Sequence, residues 1–257
     1  MASRIEAWAK DATLEVQEYV RLLARVARGT FSRPIYYRDI IEQFETIGIG
    51  SLTVVLLAGL FTGMVLALNS GITLDAFGAR SMIGRLISAS MVKELGPVLS
   101  GLMVSGRVGS GIAAELGSMQ VTDQIAALRA LGTDPIRKLV VPRVVAGVVM
   151  MPLLSILATA VGMIGGWIVT VLQFHVASSV YWSSVVQGLY MQDVWMGIIK
   201  PIVLGFTIVT IGCHVGMRTT GGTQGVGNAT KLAVVASSVA VIAVDFMVTK
   251  ILIVTIY

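Results

Sequence analysis

The stretch that decides the fold runs from residue 46 to residue 74 and reads TIGIGSLTVVLLAGLFTGMVLALNSGITL, without a single charged side chain. A helix of about 20 apolar residues is long enough to cross a hydrocarbon core of about 30 Å. The stretch therefore predicts a membrane-spanning helix, with its core at residues 47–69.

The rest of the chain has a similar composition. Its 257 residues are 55% hydrophobic and only 13% charged, whereas soluble domains carry about 25% charged residues. Further charge-poor runs predict spans at about 86–105, 144–172, 194–217 and 232–257, with an external stretch between the third and fourth. We therefore predict an all-α, polytopic membrane domain of five transmembrane helices over residues 46–257. A soluble enzyme and a disordered chain are excluded.

Residues 1–45 are predicted to form a separate interfacial region. Apolar side chains recur there at helical spacing, at Ile5, Trp8, Ala12, Val16, Tyr19, Leu23 and Val26. This pattern is typical of an amphipathic helix on a membrane surface, although packing against a partner protein stays open as an alternative.

The distribution of Lys and Arg predicts the orientation. The segment between the second and third spans carries Arg129, Arg137, Lys138 and Arg143, and the N-terminal region also contains Lys and Arg. The segment between the first two spans contains only two basic residues, Arg80 and Arg85. Because cytoplasmic loops carry the excess of basic residues, we expect a cytoplasmic N-terminus and a periplasmic C-terminus. The net charge of +5 is thus an orientation signal and not evidence for nucleic-acid binding.

Ionisable groups also lie inside the predicted spans, at Lys93, Glu94, Lys200, Asp245 and Lys250. Each costs roughly 2.5–3.5 kcal/mol to insert, so each is a candidate for a functional role. Pro97 and Pro201 lie close by and bend their helices, which favours a polar cavity. The alternative, buried ion pairs such as Glu94–Lys200 or Asp245–Lys93, stays open.

Residues 106–143 read GRVGSGIAAELGSMQVTDQIAALRALGTDPIRKLVVPR, on the predicted cytoplasmic side. Asp123 is expected in the first turn of a short helix, and Val121, Ile125 and Leu128 form its apolar stripe. Gly132 then ends the helix. Because this helix has no evident core of its own, it is expected to lie in the interface or to dock into a cytoplasmic partner.

Three motifs resemble the MlaE-type (YrbE) permease family: LLAGLFTGMVLAL in the first span, KELGPVLSGLMVSGRVGSGIAAELG from Lys93, and DQIAALRALGTDPIRKLVVPR from Asp123. The resemblance covers about residues 40–257. It implies the membrane subunit of an MCE-type ABC transporter in the bacterial inner membrane. Such a transporter moves phospholipid between the inner and outer membranes and maintains outer-membrane lipid asymmetry.

The resemblance also implies partners and site residues. The partners are a second copy of the chain, a cytoplasmic ATPase that binds the ATP, a periplasmic ring of MCE subunits and, often, a small STAS-domain protein. The permease itself would have no enzymatic activity and no cofactor, with phospholipid as its substrate. A lipid cavity at the dimer interface would be lined by Leu66, Leu74, Phe77, Glu94 and Leu95. Lys93, Lys200 and Asp245 would form a charged relay or ion pairs. The ATPase-coupling helix would carry Val121, Asp123, Ile125, Leu128 and Arg129.

Two other function classes compete with this interpretation. An ion-coupled secondary transporter could use Glu94, Lys200 and Asp245, but it predicts internal repeats that five spans do not provide. A scaffold without transport activity would not need the internal charges. One cysteine and two histidines leave no recognisable metal motif.

Overall fold

The computed structural model describes the backbone of residues 2–30 and 36–256 and the side chains of residues 13–30 and 36–255. These residues form helices and no strand. The helices are α1 (Ala2–Thr30), α2 (Tyr37–Ala76), α3 (Arg80–Val121), α4 (Gln124–Ala130), α5 (Ile136–Phe174), α6 (Ser178–Gln187), α7 (Met191–Met217) and α8 (Gly222–Ile256). Five of them, α2, α3, α5, α7 and α8, are long and apolar enough to cross a membrane. The predicted all-α fold class with five spans is confirmed.

The spanning helices extend beyond the predicted apolar runs. α2 begins at Tyr37 and includes residues that the sequence assigned to the N-terminal region, and α3 continues to Val121. Hydropathy detects only the part of a helix that matches the hydrocarbon thickness, whereas backbone hydrogen bonding continues into the polar layer.

The two ends of the bundle differ in their contents. Gly147 near the start of α5 contacts Val209 near the end of α7, so α5 and α7 run antiparallel. Gly101 and Gly109 of α3 contact Val241 and Ser237 of α8, respectively, so α3 and α8 also run antiparallel. The end of α3, the start of α5 and the end of α7 therefore meet at one end, together with α4. We call this the α4 end, and we call the opposite end, which carries α6, the α6 end.

Glycines allow α2 and α5 to pack with their backbones in contact. A Cβ atom added to Gly63 would lie 1.8 Å from the carbonyl oxygen of Gly162, and one added to Gly59 would lie 2.5 Å from that of Ala158. Small residues at such a crossing bring helices close enough for dispersion and weak hydrogen bonds to hold them together in lipid. The four-residue spacing of Gly59 and Gly63 therefore serves this crossing.

The Gly63→Ala variant is expected to destabilise the bundle by about 1–3 kcal/mol, because the new methyl group must push two backbones apart. The matched control is Gly227→Ala in α8, where an added Cβ meets no atom within 4 Å. Thermal unfolding of the detergent-purified chain measures both variants. Equal melting temperatures for the two would contradict the close crossing.

Buried apolar side chains form two clusters. The larger reaches from the bundle centre to the α4 end and includes Ile112, Val140 and Ile208, with Leu22 of α1 packed into it. The smaller lies at the α6 end and contains Ile83, Ile87, Met91, Phe174 and Tyr181 among others. Burial raises the pKa of the Tyr181 phenol, whose hydroxyl donates to the carbonyl oxygen of Met163 at 2.8 Å.

Helix α1 packs across the α4 end of its own chain. Leu22 and Val26 are 5% and 2% exposed, and the Tyr19 hydroxyl lies 2.7 Å from the Thr210 hydroxyl of α7. Val16, predicted on the apolar stripe, is exposed, and Leu22 rather than Leu23 takes the buried position. The predicted stripe members Ile5, Trp8 and Ala12 lie outside the described side chains.

Helix α4 rests on the protein's own core, whereas its sequence predicted that its apolar stripe would lie in the membrane interface or dock into a cytoplasmic partner. Ile125 is 1% exposed and belongs to the larger apolar cluster, and Leu128 packs against that cluster. The apolar stripe therefore faces inward and is not left for a partner. Asp123 precedes the helix in the left-handed conformation instead of lying in its first turn, and Gly132 with φ +76° follows its end as predicted.

The predicted external stretch contains the helix α6, which packs on the start of α3. The backbone N–H of Arg85 donates to the Ser184 hydroxyl at 3.0 Å, and the Ser88 hydroxyl donates to the carbonyl oxygen of Val185 at 3.1 Å. These contacts fix α3 just before the segment that carries Lys93 and Glu94.

Candidate functional site

Three charged side chains from three spans meet inside the bundle. The Lys200 ammonium of α7 lies 2.6 Å from the Glu94 carboxylate of α3 and 3.4 Å from the Asp245 carboxylate of α8. We call Glu94, Lys200 and Asp245 the ionic cluster. Of the two ion pairs considered from sequence, Glu94–Lys200 is present, whereas Asp245 pairs with Lys200 instead of Lys93.

A proline explains part of the site's geometry. Pro97 has no N–H, so it cannot bond to the carbonyl oxygen of Lys93 four residues earlier. That oxygen accepts a hydrogen bond from the Lys200 ammonium at 2.8 Å. Residues Met91–Leu95 form a π-helical turn, a widening that often marks functional sites. The proline thus leaves free a backbone acceptor that helps to hold the buried lysine.

Lys93 has a different partner from the one predicted. Its ammonium lies 2.9 Å from the carboxylate of Asp193, which is fully buried at the start of α7. Asp193 also accepts a hydrogen bond from the backbone N–H of Tyr190 at 3.2 Å. The two consecutive residues Lys93 and Glu94 therefore tie the same turn of α3 to two positions on α7.

The ionic cluster is buried on one side and open on the other. Lys200 is fully buried and the Asp245 side chain is 12% exposed, but the Glu94 side chain is 43% exposed. With all three groups ionised, the cluster has one positive and two negative charges. It can therefore accept a cationic group at the open carboxylate of Glu94.

The predicted apolar lining residues divide into two groups. Leu66, Leu74 and Leu95 are partly buried and pack against the small apolar cluster at the α6 end. Phe77 lies just past the end of α2 and is 79% exposed. The structure thus brings three of the four apolar candidates together, with Leu95 adjacent in sequence to Glu94.

Comparison with known proteins places the chain in a family. The sequence model of the family described as Permease MlaE matches residues 40–251, a range that includes the whole ionic cluster. The chain belongs to the MlaE permease family. The predicted resemblance is confirmed, and the chain is a multi-pass membrane protein of a transport family.

Relatives of this MlaE-family chain match over most of its length. A probable ABC transporter permease protein of Rickettsia bellii is 43% identical over 84% of this chain and 84% of its own. The intermembrane phospholipid transport system permease protein MlaE of Haemophilus influenzae is 36% identical over 93% of this chain and 94% of its own. The chloroplastic protein TRIGALACTOSYLDIACYLGLYCEROL 1 of Arabidopsis thaliana is 35% identical over 88% of this chain and 64% of its own length.

Sequence reasoning missed two buried charged residues of this MlaE-family chain, which belong to separate ion pairs. Asp193 was placed outside the fourth span, although an acidic residue three positions after Tyr190 is a helix-start signal that could have revealed it. Arg143 was counted only as an orientation charge. Its side chain is 4% exposed and lies 2.7 Å from the Glu115 carboxylate.

Proposed function

We propose that this chain is the membrane permease of an ATP-driven transporter that moves phospholipid between the inner and outer membranes and so maintains outer-membrane lipid asymmetry. The observation that carries the proposal is the open carboxylate of Glu94 amid apolar helices. Family membership supports the transport of lipid, since the Haemophilus relative is an intermembrane phospholipid transport permease. Family membership gives no support to an ion-coupled secondary transporter.

The exposure of Glu94 favours a homodimer. A carboxylate in contact with acyl chains is costly, so charged groups inside membranes face a bundle interior or a wet cavity. In a single copy the Glu94 side chain is 43% exposed, so something must shield it from lipid tails. A second copy facing the first would enclose a cavity between them. Acyl chains would lie against Leu66, Leu74, Leu95 and Phe77, and the headgroup would lie near Glu94.

The remaining buried charges would hold this cavity in shape. Lys200 and Asp245 orient Glu94, and the pair of Lys93 with Asp193 holds the adjacent backbone. The role of these four groups is thus positional, and it requires no cofactor. Chemical work would come from ATP bound and hydrolysed by a separate subunit, so the permease itself would not be an enzyme.

Charge distribution supports the orientation of the proposed transporter. Arg129 and Lys138 lie at the α4 end, which the positive-inside rule assigns to the cytoplasm of a bacterial inner membrane. The N-terminus would be cytoplasmic and the C-terminus periplasmic. A periplasmic ring of MCE subunits would then contact the α6 end, and a STAS-domain protein would accompany the ATPase.

The ATPase would contact α4 through its outward face. Arg129 and Leu131 are exposed, and Leu131 is 80% exposed at the end of the helix. The inward residues Ile125 and Leu128 would transmit force by carrying α4 with the apolar core. Val121, predicted on the stripe of the same short helix, is instead the last residue of α3. Asp123 lies at the start of α4 and is also exposed.

The Leu131→Asp variant is expected to release the ATPase, with at least about a tenfold drop in co-purified subunit, because an apolar contact is replaced by a charge. Ile125→Asp is the comparison variant and is expected to unfold the chain, since its side chain is buried. Affinity purification with subunit quantification measures the first effect, and thermal unfolding measures the second. ATPase bound to Leu131→Asp at the wild-type ratio would refute this docking face.

The Glu94→Gln variant tests the proposed function directly. The amide keeps the size of the side chain but removes the charge, so we expect assembled complex with lipid transfer reduced about tenfold or more. ATP-dependent transfer of labelled phospholipid between reconstituted vesicles is the measurement. The matched control is Glu45→Gln, an exposed carboxylate at the start of the same membrane domain. Wild-type transfer by Glu94→Gln would overturn the role of the cavity.

A further inference from the structure

A second polar cavity lies at the α4 end, away from the ionic cluster. Its volume is about 450 Å³, and α1, α4, the start of α5 and the end of α7 enclose it. His214 borders the cavity and lies about 21 Å along α7 from Lys200, at 1.5 Å per residue. The cavity is therefore separate from the proposed transport site.

The cavity carries an excess of positive charge. Four guanidinium groups line it, those of Arg21, Arg25, Arg129 and Arg218. The two lining carboxylates are already engaged, Glu18 with Arg218 at 3.1 Å and Asp134 with Arg137 at 3.7 Å. Among the described residues, no carboxylate forms an ion pair with the other three lining arginines. Arginines thus outnumber carboxylates in the lining by four to two, and three of these arginines, on two different helices, form no ion pair within the described part of the chain.

The floor of the cavity is apolar. Leu22 and Ile136 are 5% and 4% exposed, and Met217 lines the cavity beside them. A guanidinium group binds phosphate through two parallel hydrogen bonds, and an apolar floor accommodates the carbon atoms next to that phosphate. The lining therefore fits a phosphate attached to a hydrophobic molecule better than it fits a small inorganic anion.

The outer surface of α1 places this cavity at a membrane interface. Leu14, Val16 and Val20 are 46%, 64% and 55% exposed, on the helix that carries Arg21 and Arg25. Exposed apolar residues beside basic ones are typical of a helix that lies at the level of lipid headgroups. Basic pockets at the cytoplasmic ends of membrane helices bind anionic headgroups.

We propose that this cavity holds the phosphate group of an anionic phospholipid from the cytoplasmic leaflet, as a resident lipid and not as transported substrate. The proposal rests on the orientation given under the proposed function. A phosphate bound there joins Arg21 and Arg25 of α1 to Arg129 of α4, the helix proposed to contact the ATPase. The lipid would thereby hold α1 and α4 together at the base of the bundle.

The test uses the full-length protein with its co-purifying partners, delipidated in detergent. Native mass spectrometry counts bound phosphatidylglycerol and phosphatidylcholine during titration, with inorganic phosphate as competitor. We expect the wild type to prefer phosphatidylglycerol, and the double variant Arg21→Gln/Arg25→Gln to lose about tenfold in that affinity. The matched control is Arg28→Gln/Arg38→Gln, which removes two exposed arginines that do not line the cavity.

Several results would overturn the proposal. One is equal binding of the two lipids by the wild type, and another is saturation by inorganic phosphate without preference for phosphatidylglycerol. Phosphatidylglycerol binding that disappears in Glu94→Gln but survives in the double variant would belong to the transport cavity. Loss of the ATPase from the double variant with unchanged lipid binding would mark a protein-docking surface. Should the double variant not fold, Arg129→Gln, from the opposite wall, is expected to lose about fivefold in affinity.

Discussion

Replacing Lys200 with methionine is expected to lower the free energy of unfolding by about 3–5 kcal/mol, because it breaks a buried ion pair and leaves its partners uncompensated. Lys200 is fully buried and lies between the carboxylates of Glu94 and Asp245. Methionine fills most of the space but leaves two negative charges together. It also leaves the carbonyl oxygen of Lys93 without the ammonium that bonds to it.

Two further substitutions separate stability from function in this prediction. Adding Asp245→Asn and Glu94→Gln to Lys200→Met removes the stranded charges, so we expect most of the stability to return while lipid transfer stays low. Lys250→Met is the matched control, because it removes a second lysine from a spanning helix, at an exposed position of α8. Thermal unfolding in detergent is the measurement. A wild-type melting temperature for Lys200→Met would show that the ionic cluster does not stabilise the bundle.

The Asp193→Ala variant is expected to lower the free energy of unfolding by about 2–4 kcal/mol, because it loses a helix cap and a charge-assisted contact. Asp193 is fully buried, lies 2.9 Å from the Lys93 ammonium and accepts the N–H of Tyr190. Without it, α7 loses the contact that fixes its start, and the turn of α3 before Glu94 is less restrained. We therefore expect reduced lipid transfer as well.

Two comparisons make the Asp193 prediction specific. Asp193→Asn keeps an oxygen for the helix start and loses only the charge, so it is expected to fall between wild type and Asp193→Ala. Asp75→Ala breaks the exposed ion pair of Asp75 with Arg80, and we expect a melting temperature close to that of the wild type, because exposed ion pairs contribute little to stability. Equal melting temperatures for Asp193→Ala and Asp75→Ala would argue against the buried pair.

The charged residues of the ionic cluster could be predicted from sequence, but the ion pairs that they form could not. Glu94, Lys200 and Asp245 stand out from sequence because ionisable groups are rare in apolar runs. Which of them meet depends on the rotation and depth of each helix, and packing alone sets these. Lys93 and Glu94 are neighbours in the chain, yet they pair with different residues of α7. No spacing rule within one helix contains that information.

Helix α4 shows a different limit of prediction from sequence. Its end near Gly132 and its apolar residues Ile125 and Leu128 follow from local sequence signals, whereas its start at Gln124 lies later than predicted. The stripe was expected to face a partner, because the segment between two spans shows no core of its own. In the structure the ends of neighbouring helices supply that core, and Ile125 is buried in it. Periodicity reveals an apolar face but not the surface that covers it.

The sequence by itself determined the number of spans, the all-α class, the family and the identity of the intramembrane charges, because hydropathy, composition and motifs are local properties. Only the tertiary structure decided that Lys200 bridges two carboxylates, that Asp193 pairs with Lys93, and that arginines of α1 and α4 share one cavity. These contacts join residues far apart in the chain. They depend on how the glycine-lined crossings set helix distance and rotation, which local sequence patterns do not encode.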